Sequence, residues 1–264
     1  MPRAKRRLGQ HFLADPRILA RIADALGPEP DDRVLEIGAG PGALTGALLA
    51  RAGEVTAIEK DRDLVPALRA RFPGVQVIEG DALELDWHAL VSHPFLLTGN
   101  IPYNITSPLL DKALIPPRPT RIVFLVQKEV ADRVTASPGT SEYGALSIGI
   151  QVVAQAERLF TVPAGAFHPK PKVDSAVLRL IPLGTPAISD DERESFRRLV
   201  VGLFSFRRKQ MLRALRELTG WTAADVSIIL TNVSINETAR PEVLAPHQFV
   251  QLHRALVDGG WHGR

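Results

Sequence analysis

The chain has 264 residues, a hydrophobic fraction of 45% and a formal net charge of +3, which suits one large domain or a domain with a smaller second one. The absence of cysteine excludes disulfides, cysteine-based zinc or iron–sulfur sites and a thiol nucleophile. No apolar run reaches the ~18 residues of a membrane span, and the basic N-terminus lacks the apolar stretch of a secretory signal, so we expect a cytoplasmic protein without membrane contact.

The first two-thirds of the chain alternates helix and strand patterns. Asp15-Pro16 predicts a helix start, with an N-cap residue and a proline in the first turn. Apolar runs then predict strands at 33–37, 55–59, 75–78, 95–98 and 122–126, with helices at 43–51 and 61–71 between them. Continuous apolar strands separated by helices are typical of a parallel sheet covered on both faces. This part therefore belongs to the α/β class.

The pattern changes in the last third of the chain. Segments 157–162 and 175–181 read as strands with no long helix between them, which predicts an antiparallel addition at the edge of the sheet. A linker follows at 182–186, and helical patterns cover 190–206, 209–218, 223–230 and 247–257. We predict an α/β domain over 1–184, with a basic N-terminal arm at 1–14, and an all-helical domain over 185–264.

A glycine-rich loop follows the first predicted sheet strand. Gly38, Gly40 and Ala43 satisfy a dinucleotide fingerprint, and Glu59 stands at the distance of a ribose-binding carboxylate. NAD and S-adenosylmethionine both carry an adenosine ribose, so the loop alone admits either. Asp81, at the end of the third strand, can accept a hydrogen bond from the exocyclic amine of adenine, and this favours S-adenosylmethionine.

The segment Asn100-Ile101-Pro102-Tyr103 follows the fourth apolar strand. The side-chain carbonyl of Asn100 and the backbone carbonyl of Ile101 can each accept a hydrogen bond from an aromatic amine and turn its lone pair out of the ring plane. Pro102 fixes φ and presents no N–H, and Tyr103 offers a flat face to an extruded base. These residue types suit methylation of an exocyclic amine on a nucleobase.

Together these segments resemble the small-subunit ribosomal RNA adenine N6-dimethyltransferase family (KsgA/RsmA). Eight ordered segments carry the resemblance over nearly the whole length, namely 8–13, 36–45, 58–61, 80–83, 99–105, 124–130, 167–175 and 206–209. The family often has Asn where this chain has His11, so that an imidazole replaces an amide, and Pro where it has Ala39. The resemblance implies a class I, Rossmann-like methyltransferase domain that uses S-adenosylmethionine and no metal.

The resemblance also implies roles for individual residues. His11 and Leu13 would close over the methionine end of the cofactor, while Gly38 and Gly40 approach it from the loop. Glu59 would hold the ribose and Asp81 the adenine. Catalysis would rest on Asn100, which borders both cofactor and target, with Ile101 and Tyr103, and the target base would be held by Pro102, Tyr103 and Phe167. No general base is expected, because the methylated amine can lose its proton to water.

The implied reaction is dimethylation, at N6, of two adjacent adenosines in a 3′-terminal hairpin loop of 16S rRNA. The expected partner is this RNA within an assembling small subunit, with the enzyme as a monomer. Three alternatives stay open: a sister large-subunit rRNA adenine methyltransferase, a DNA adenine methyltransferase, which usually has Asp and a second Pro in the Asn100 motif, and a non-catalytic nucleic-acid-binding factor on the same fold.

Two basic clusters support an RNA partner. The first is the N-terminal arm with Arg3, Lys5, Arg6 and Arg7, and the second is Arg207, Arg208 and Lys209 with Arg213 and Arg216 further along. Clustered cations of this kind are either a solvated face or a phosphate-binding surface. With the preceding motifs, we predict that Arg207, Arg208 and Lys209 contact RNA phosphates.

Overall fold

The computed structural model of the chain describes residues 4–5 and 8–263. Within that range, the strands are β1 (Phe12–Leu13), β2 (Arg33–Ile37), β3 (Glu54–Glu59), β4 (Gln76–Glu79), β5 (Leu96–Asn100), β6 (Arg121–Gln127), β7 (Ala154–Val162), β8 (Phe167–His168) and β9 (Ser175–Pro182). Seven of them form one sheet in the order β4-β3-β2-β5-β6-β9-β7, and β1 pairs with β8 in a separate ribbon.

The sheet has the mixed character that the sequence predicts. Strands β2 to β6 pair in parallel, whereas β9 pairs antiparallel to β6. The chain first builds outward from β2 to β4 and then returns to the other side of β2 at β5. Such a reversal opens a crevice at the carboxyl ends of the central strands, which is where open α/β sheets bind ligands.

The helices in the described residues are α1 (Pro16–Leu26), α2 (Ala43–Leu49), α3 (Val65–Arg71), α4 (Trp87–Leu90), α5 (Thr106–Ala113), α6 (Lys128–Val134), α7 (Ala145–Gln151), α8 (Arg193–Ser205), α9 (Met211–Thr219), α10 (Ala223–Asn232) and α11 (Pro246–Asp258). The predicted start of α1 is confirmed, since the Asp15 side chain accepts a hydrogen bond from the Arg17 N–H at 2.9 Å.

Some elements differ from the sequence prediction. Helix α3 begins four residues late because Asp61 closes a turn first, accepting the Leu64 N–H at its carbonyl (2.9 Å) and the Asp63 N–H at its carboxylate (3.1 Å). Short carboxylate side chains compete in this way with the helical backbone. The sequence prediction also omits α4, α5, α6 and α7, which are four to eight residues long.

The chain divides into two compact units. The first comprises residues up to Ala131 together with Gln155–Pro182, and the second comprises Asp132–Ala154 together with Leu183 onward. The second unit thus takes in the α7 segment, which a boundary at residue 184 assigns to the α/β domain. Whether the ranges 1–184 and 185–264 fold as independent domains stays a prediction.

Each unit has its own apolar core. In the first, Ile22 and Leu26 of α1 pack with Val34, Val55 and Val123 of the sheet, all nearly inaccessible to solvent. In the second, the buried side chains include Phe196, Leu199, Leu203, Met211, Leu215, Phe249 and Leu252. Burying one such side chain contributes about 1.5–3 kcal/mol. No helix in the described part of the chain is long and apolar enough to cross a membrane.

Candidate active site

A pocket lies at the carboxyl ends of β2 to β5, entirely within the first unit. Its lining comes from five segments: Leu8–Phe12, the loop after β2 with Ile37, Gly38 and Gly40, the end of β3 from Ile58 to Lys60, the end of β4 from Gly80 to Ala82, and Asn100–Ile105. The strand ends that the sequence singles out are therefore brought together. Parallel pairing produces this, because it aligns their carboxyl ends at one edge.

The glycine loop lies under this pocket in a conformation that favours glycine. Gly38 and Gly40 have φ angles of 72° and 59°, a region that other residues rarely occupy. The Gly38 N–H donates to the carbonyl of Ile58 at 2.8 Å, which holds the loop against β3. A Cβ atom added to Gly38 would lie 3.5 Å from the carbonyl oxygen of Asn100. Because Gly38 and Gly40 line the pocket and carry no Cβ, a ligand can approach the loop backbone there.

Glu59 ends β3 with a carboxylate whose orientation is set by two backbone amides. Its Oε2 accepts the Gly40 N–H at 2.7 Å and its Oε1 accepts the Asp61 N–H at 2.6 Å. Burial raises the pKa of this carboxyl, while the amide hydrogen bonds lower it in part. Each oxygen keeps a second lone pair, so the group can still accept hydroxyl hydrogens from a ribose.

Asp81 lies beyond the end of β4 and is held by a cation and by its own loop. Its Oδ2 forms an ion pair with Lys60, and its Oδ1 accepts the Leu83 N–H at 2.9 Å. Partial burial raises the pKa of Asp81, but these hydrogen bonds outweigh it and the net pKa is lowered. An ionised carboxylate at this position can accept a hydrogen bond from an adenine amine.

The side chain of Asn100 has a defined orientation. Its Nδ2 donates to the backbone carbonyl of His11 at 2.8 Å. Because a carbonyl only accepts, the amide must present its nitrogen to His11 and keep Oδ1 for another donor. Within the described residues, no donor bonds to that oxygen. The arrangement leaves the acceptor that the proposed chemistry needs.

The residues after Asn100 are anchored by the strands beside them. The Ile101 N–H donates to the carbonyl of Leu125 on β6 at 3.0 Å, and Pro102 adopts φ −56° and ψ 133°. The Tyr103 hydroxyl lies 2.8 Å from the Ser175 hydroxyl of β9. Burial is the main reason that the pKa of Tyr103 is raised. Tyr103 is therefore a fixed neutral ring at the pocket edge.

His11 contacts two of the three catalytic candidates, Asn100 and Tyr103. Its ring stacks on Tyr103 with centroids 5.7 Å apart at 25°, its backbone carbonyl holds Asn100, and its Nδ1 lies 2.7 Å from the carbonyl oxygen of Pro169. Since that carbonyl only accepts, Nδ1 carries a proton. One face of Tyr103 is thus covered by His11, so we expect an incoming base to stack on the opposite face.

Comparison with known proteins agrees with this geometry. The family model for ribosomal RNA adenine dimethylase matches residues 1–256. The chain belongs to this family. "Ribosomal RNA small subunit methyltransferase A" of Geobacter metallireducens is 42% identical, covering 98% of this chain and 97% of that protein. The protein of the same description from Acinetobacter baylyi is 41% identical, covering 97% of this chain and 93% of its own length.

Two solved structures resemble this adenine dimethylase over most of its length. A dimethyladenosine transferase from Plasmodium falciparum has a TM-score of 0.84 and 28% identity, covering 96% of this chain and all (100%) of that one. The 23S rRNA methyltransferase ErmE has a TM-score of 0.73 and 29% identity, covering 93% of this chain and 99% of that one. These similarities confirm the Rossmann-like methyltransferase fold.

The dimethylase uses S-adenosylmethionine, and the pocket fits that molecule. The glycine loop admits a ligand close to the backbone, and the Glu59 and Asp81 carboxylates supply acceptors for a ribose and an adenine amine. Among the described residues, no group of three or more His, Asp or Glu side chains could hold a metal ion. The residues that touch the cofactor stay a prediction. Those predicted residues that line this pocket include Gly38, Gly40, Glu59, Asp81 and Asn100.

Leu13 and Phe167 do not line the pocket of the dimethylase. They face each other across the β1–β8 ribbon, each is only 5% exposed, and both belong to the core of the first unit. The ribbon instead carries the backbone that positions His11. The contacts predicted for these two side chains, to cofactor and to target base, stay predictions.

The basic arm is described only at Lys5 among its four cations; Arg3, Arg6 and Arg7 lie outside the described residues. Lys5 forms ion pairs with Asp61 and Asp63. Asp61 also accepts from the Gln10 side chain at 3.0 Å and is 2% exposed. The charge of Lys5 is therefore paired with two carboxylates of the β3–α3 loop. The sequence prediction missed this pairing.

The second basic cluster lies in the turn between α8 and α9, within the second unit. Arg207 donates to Glu242 at 2.5 Å and Lys209 forms an ion pair with Glu217, whereas Arg208 is exposed.

Three contacts around the pocket were also missed by sequence reasoning: Ser175 at Tyr103, Lys60 at Asp81 and Pro169 at His11. All three fall inside the segments that carry the family resemblance, which is the signal that could have found them.

Proposed function

We propose that this dimethylase transfers methyl groups from S-adenosylmethionine to N6 of two adjacent adenosines in a 3′-terminal hairpin loop of small-subunit ribosomal RNA. The observation that carries the proposal is the Asn100 amide, whose nitrogen is engaged by the His11 carbonyl so that its oxygen remains available in the pocket. It stands at the end of the strand beside the glycine loop, between the proposed cofactor and target positions.

The chemistry assigned to the chain is positioning and orbital alignment. The N6 lone pair of adenine is delocalised into the ring and is a poor nucleophile. When bound, S-adenosylmethionine supplies an electrophilic methyl group on its sulfonium. Asn100 Oδ1 and the Ile101 carbonyl accept the two amine hydrogens and direct the lone pair away from the ring plane. The methylated amine carries a positive charge when it forms, is strongly acidic and loses its proton to water, so we assign no general base.

The target base is assigned to Tyr103. Its ring is held by the Ser175 hydroxyl on one side and by the His11 ring on one face, and the opposite face can stack on an extruded adenine. A recessed pocket reads an unstacked base more easily than a duplex, which suits a loop target. Pro102 keeps the turn rigid beside it.

The choice of RNA is supported by the relatives. The curated proteins at 41–42% identity are described as small-subunit rRNA methyltransferases, which favours this substrate over the large-subunit RNA named for ErmE. The Asn100 motif favours catalysis over a purely binding role. We further propose that the enzyme acts as a monomer in the cytoplasm, on an assembling small subunit.

Mass spectrometry of rRNA tests the proposal. A strain that lacks the gene should lose dimethyladenosine from small-subunit RNA, wild-type protein should restore it, and Asn100→Ala protein should not. Unchanged small-subunit modification in the deletion strain would overturn the proposal. Loss from large-subunit RNA alone would transfer the assignment to the sister activity.

A further inference from the structure

Lys112 makes contacts in the first unit that the proposed chemistry does not use. It lies in the last turn of α5, the helix that follows Asn100–Tyr103 through a short 3₁₀ turn. Its ammonium donates to the carbonyls of Leu83 at 2.8 Å and Leu85 at 2.6 Å. It also lies 5.1 Å from the centroid of the Trp87 ring. The cation is thus directed at backbone acceptors of the segment 81–87.

This segment, which we name the Asp81 loop, is closed around its first residue. The N–H groups of Glu84 and Leu85 donate to the Asp81 carbonyl at 2.9 and 3.0 Å, and the Leu83 N–H donates to the Asp81 carboxylate at 2.9 Å. The Trp87 indole donates to the Ala82 carbonyl at 2.8 Å. The carbonyls of Ala82, Leu83 and Leu85 therefore accept hydrogen bonds from two side chains, Trp87 and Lys112.

Lys112 connects this loop to the helix that follows the target-base motif. Asp81 and Ala82 line the pocket, while α5 continues the chain directly from Tyr103. Burial lowers the pKa of Lys112, and the carboxylates of Asp86 and Asp81 raise it in part. A partly buried cation that bonds carbonyls from a different element fixes the distance between the two elements.

We propose that Lys112 is a positioning residue, which ties the loop that receives the adenine of S-adenosylmethionine to the helix that follows the target-base motif. The inference rests on the proposed function of the pocket. It predicts that Lys112 acts on cofactor affinity through Asp81, although Lys112 is not expected to touch the cofactor.

The test is calorimetric titration of full-length protein with S-adenosylmethionine. Lys112→Met keeps the aliphatic length but removes the donors. It should weaken binding about tenfold, the loss expected when a displaced Asp81 no longer makes its charge-assisted hydrogen bond to the adenine. Asp81→Ala should also weaken binding. The double variant should bind about as weakly as Asp81→Ala alone, because the proposal has Lys112 act on the cofactor through Asp81.

Hydrogen exchange gives a second readout that does not depend on catalysis. Amides of Leu83, Glu84 and Leu85 should exchange faster in Lys112→Met than in wild type. In steady-state assays, KM for S-adenosylmethionine should rise and KM for RNA should stay within about twofold. Lys112→Arg, which keeps donors, should recover part of the affinity. If circular dichroism shows that Lys112→Met is unfolded, Lys112→Gln, which is shorter and uncharged, replaces it and should show the same loss of affinity.

Arg69→Met is the matched control. The cationic side chain of Arg69 also donates to a backbone carbonyl, that of Val77 in β4, at 3.0 Å. Because Val77 lies upstream of the Asp81 loop, cofactor binding should be unchanged in this variant.

If wild type itself fails to bind S-adenosylmethionine, the proposed function fails. If wild type binds and Lys112→Met binds equally well, or the losses of Lys112→Met and Asp81→Ala add, the role of Lys112 is overturned.

Discussion

At the scale of single residues, the site depends on which atom of an amide faces which neighbour. Asn100 could present either its oxygen or its nitrogen to the pocket, and the His11 carbonyl decides between them. His11 occupies a position where the family often has Asn. Because the contact uses its backbone, the change of side chain leaves it intact. The imidazole is instead held between Tyr103 and the Pro169 carbonyl.

Substitution of Asn100 should separate catalysis from folding. Asn100→Ala removes one of two acceptors for the amine, and loss of a preorganised polar contact typically lowers the rate by ~10²–10³. The fold should survive, because the side chain lies at a strand end and makes one hydrogen bond to the chain. Single-turnover methylation of a pre-subunit substrate, with circular dichroism for folding, measures both. A folded variant with a near wild-type rate would contradict the mechanism.

Tyr103 provides the comparison for that experiment. Tyr103→Ala should weaken binding of the target base by ~1–3 kcal/mol, the stacking free energy of one base on an aromatic ring. Tyr103→Phe keeps the ring and loses only the hydrogen bond to Ser175, so its effect should be small. Equal losses in the two variants would argue that the hydroxyl, and not the ring face, is what matters.

At the scale of elements, the basic turn between α8 and α9 is less freely charged than its sequence suggests. Arg207 donates to the Glu242 carboxylate and the Thr140 carbonyl. Lys209 forms an ion pair with Glu217 and lies over the ring of Phe206. Both cations are about one-third exposed. These pairs hold the turn in shape, and exposed pairs of this kind contribute little stability, about 0–1 kcal/mol each. Arg208 is the most available cation of the three.

Salt dependence should identify the cations that meet RNA. Neutralising Arg207, Arg208 and Lys209 to Gln should weaken RNA binding and flatten its dependence on salt, with cofactor binding unchanged. Arg208→Gln alone should reduce the slope of log K against log salt by about 0.7 for one phosphate contact to single-stranded RNA. Arg197→Gln, an exposed cation of α8 paired with Glu194, is the control. A slope unaffected by the triple change would make the turn a solvated face.

At the scale of the whole molecule, stability responds to buried titratable groups. Glu36 is 1% exposed in β2 and accepts a hydrogen bond from the Thr45 hydroxyl at 2.6 Å. Burial raises the pKa of Glu36 to about 7 from an ordinary 4.5. In the second unit, burial lowers the pKa of His253, whose Nε2 lies 2.8 Å from the Ser195 hydroxyl. The two groups therefore act on stability in opposite pH directions.

The sign for Glu36 predicts a loss of stability as pH rises. Between pH 4.5 and 7 the folded state binds more protons at Glu36 than the unfolded state does. The unfolding free energy of the protein therefore falls by roughly 3 kcal/mol as the pH rises through this range, and then levels off. Glu36→Gln cannot titrate, and its stability should fall less over that range. Denaturant unfolding at pH 5 to 8 measures the difference, in proteins whose Trp221 and Trp261 are changed to Phe so that the fluorescence reports Trp87 of the first unit. Parallel curves for the two proteins would contradict the assignment.

The sequence by itself determined the sheet strands and the groups at their carboxyl ends. Alternation of apolar runs and helices predicts β2 to β6, and parallel order of these strands predicts the glycine loop, Glu59, Asp81 and Asn100 at one edge of the sheet. These features are local, since periodicity and turn residues record them directly. The family resemblance can also be identified from the sequence alone. It depends on the residues and order of eight segments, and not on the contacts that those segments make.

Only the tertiary structure decided how those groups are oriented. The His11 carbonyl that orients Asn100 comes from 89 positions away, and the Ser175 hydroxyl at Tyr103 from 72. The same holds for Lys112 at the Asp81 loop and for Phe167, which pairs with Leu13 in the core. Hydrogen bonds over such separations follow from how the elements pack, and local propensity carries no information about them.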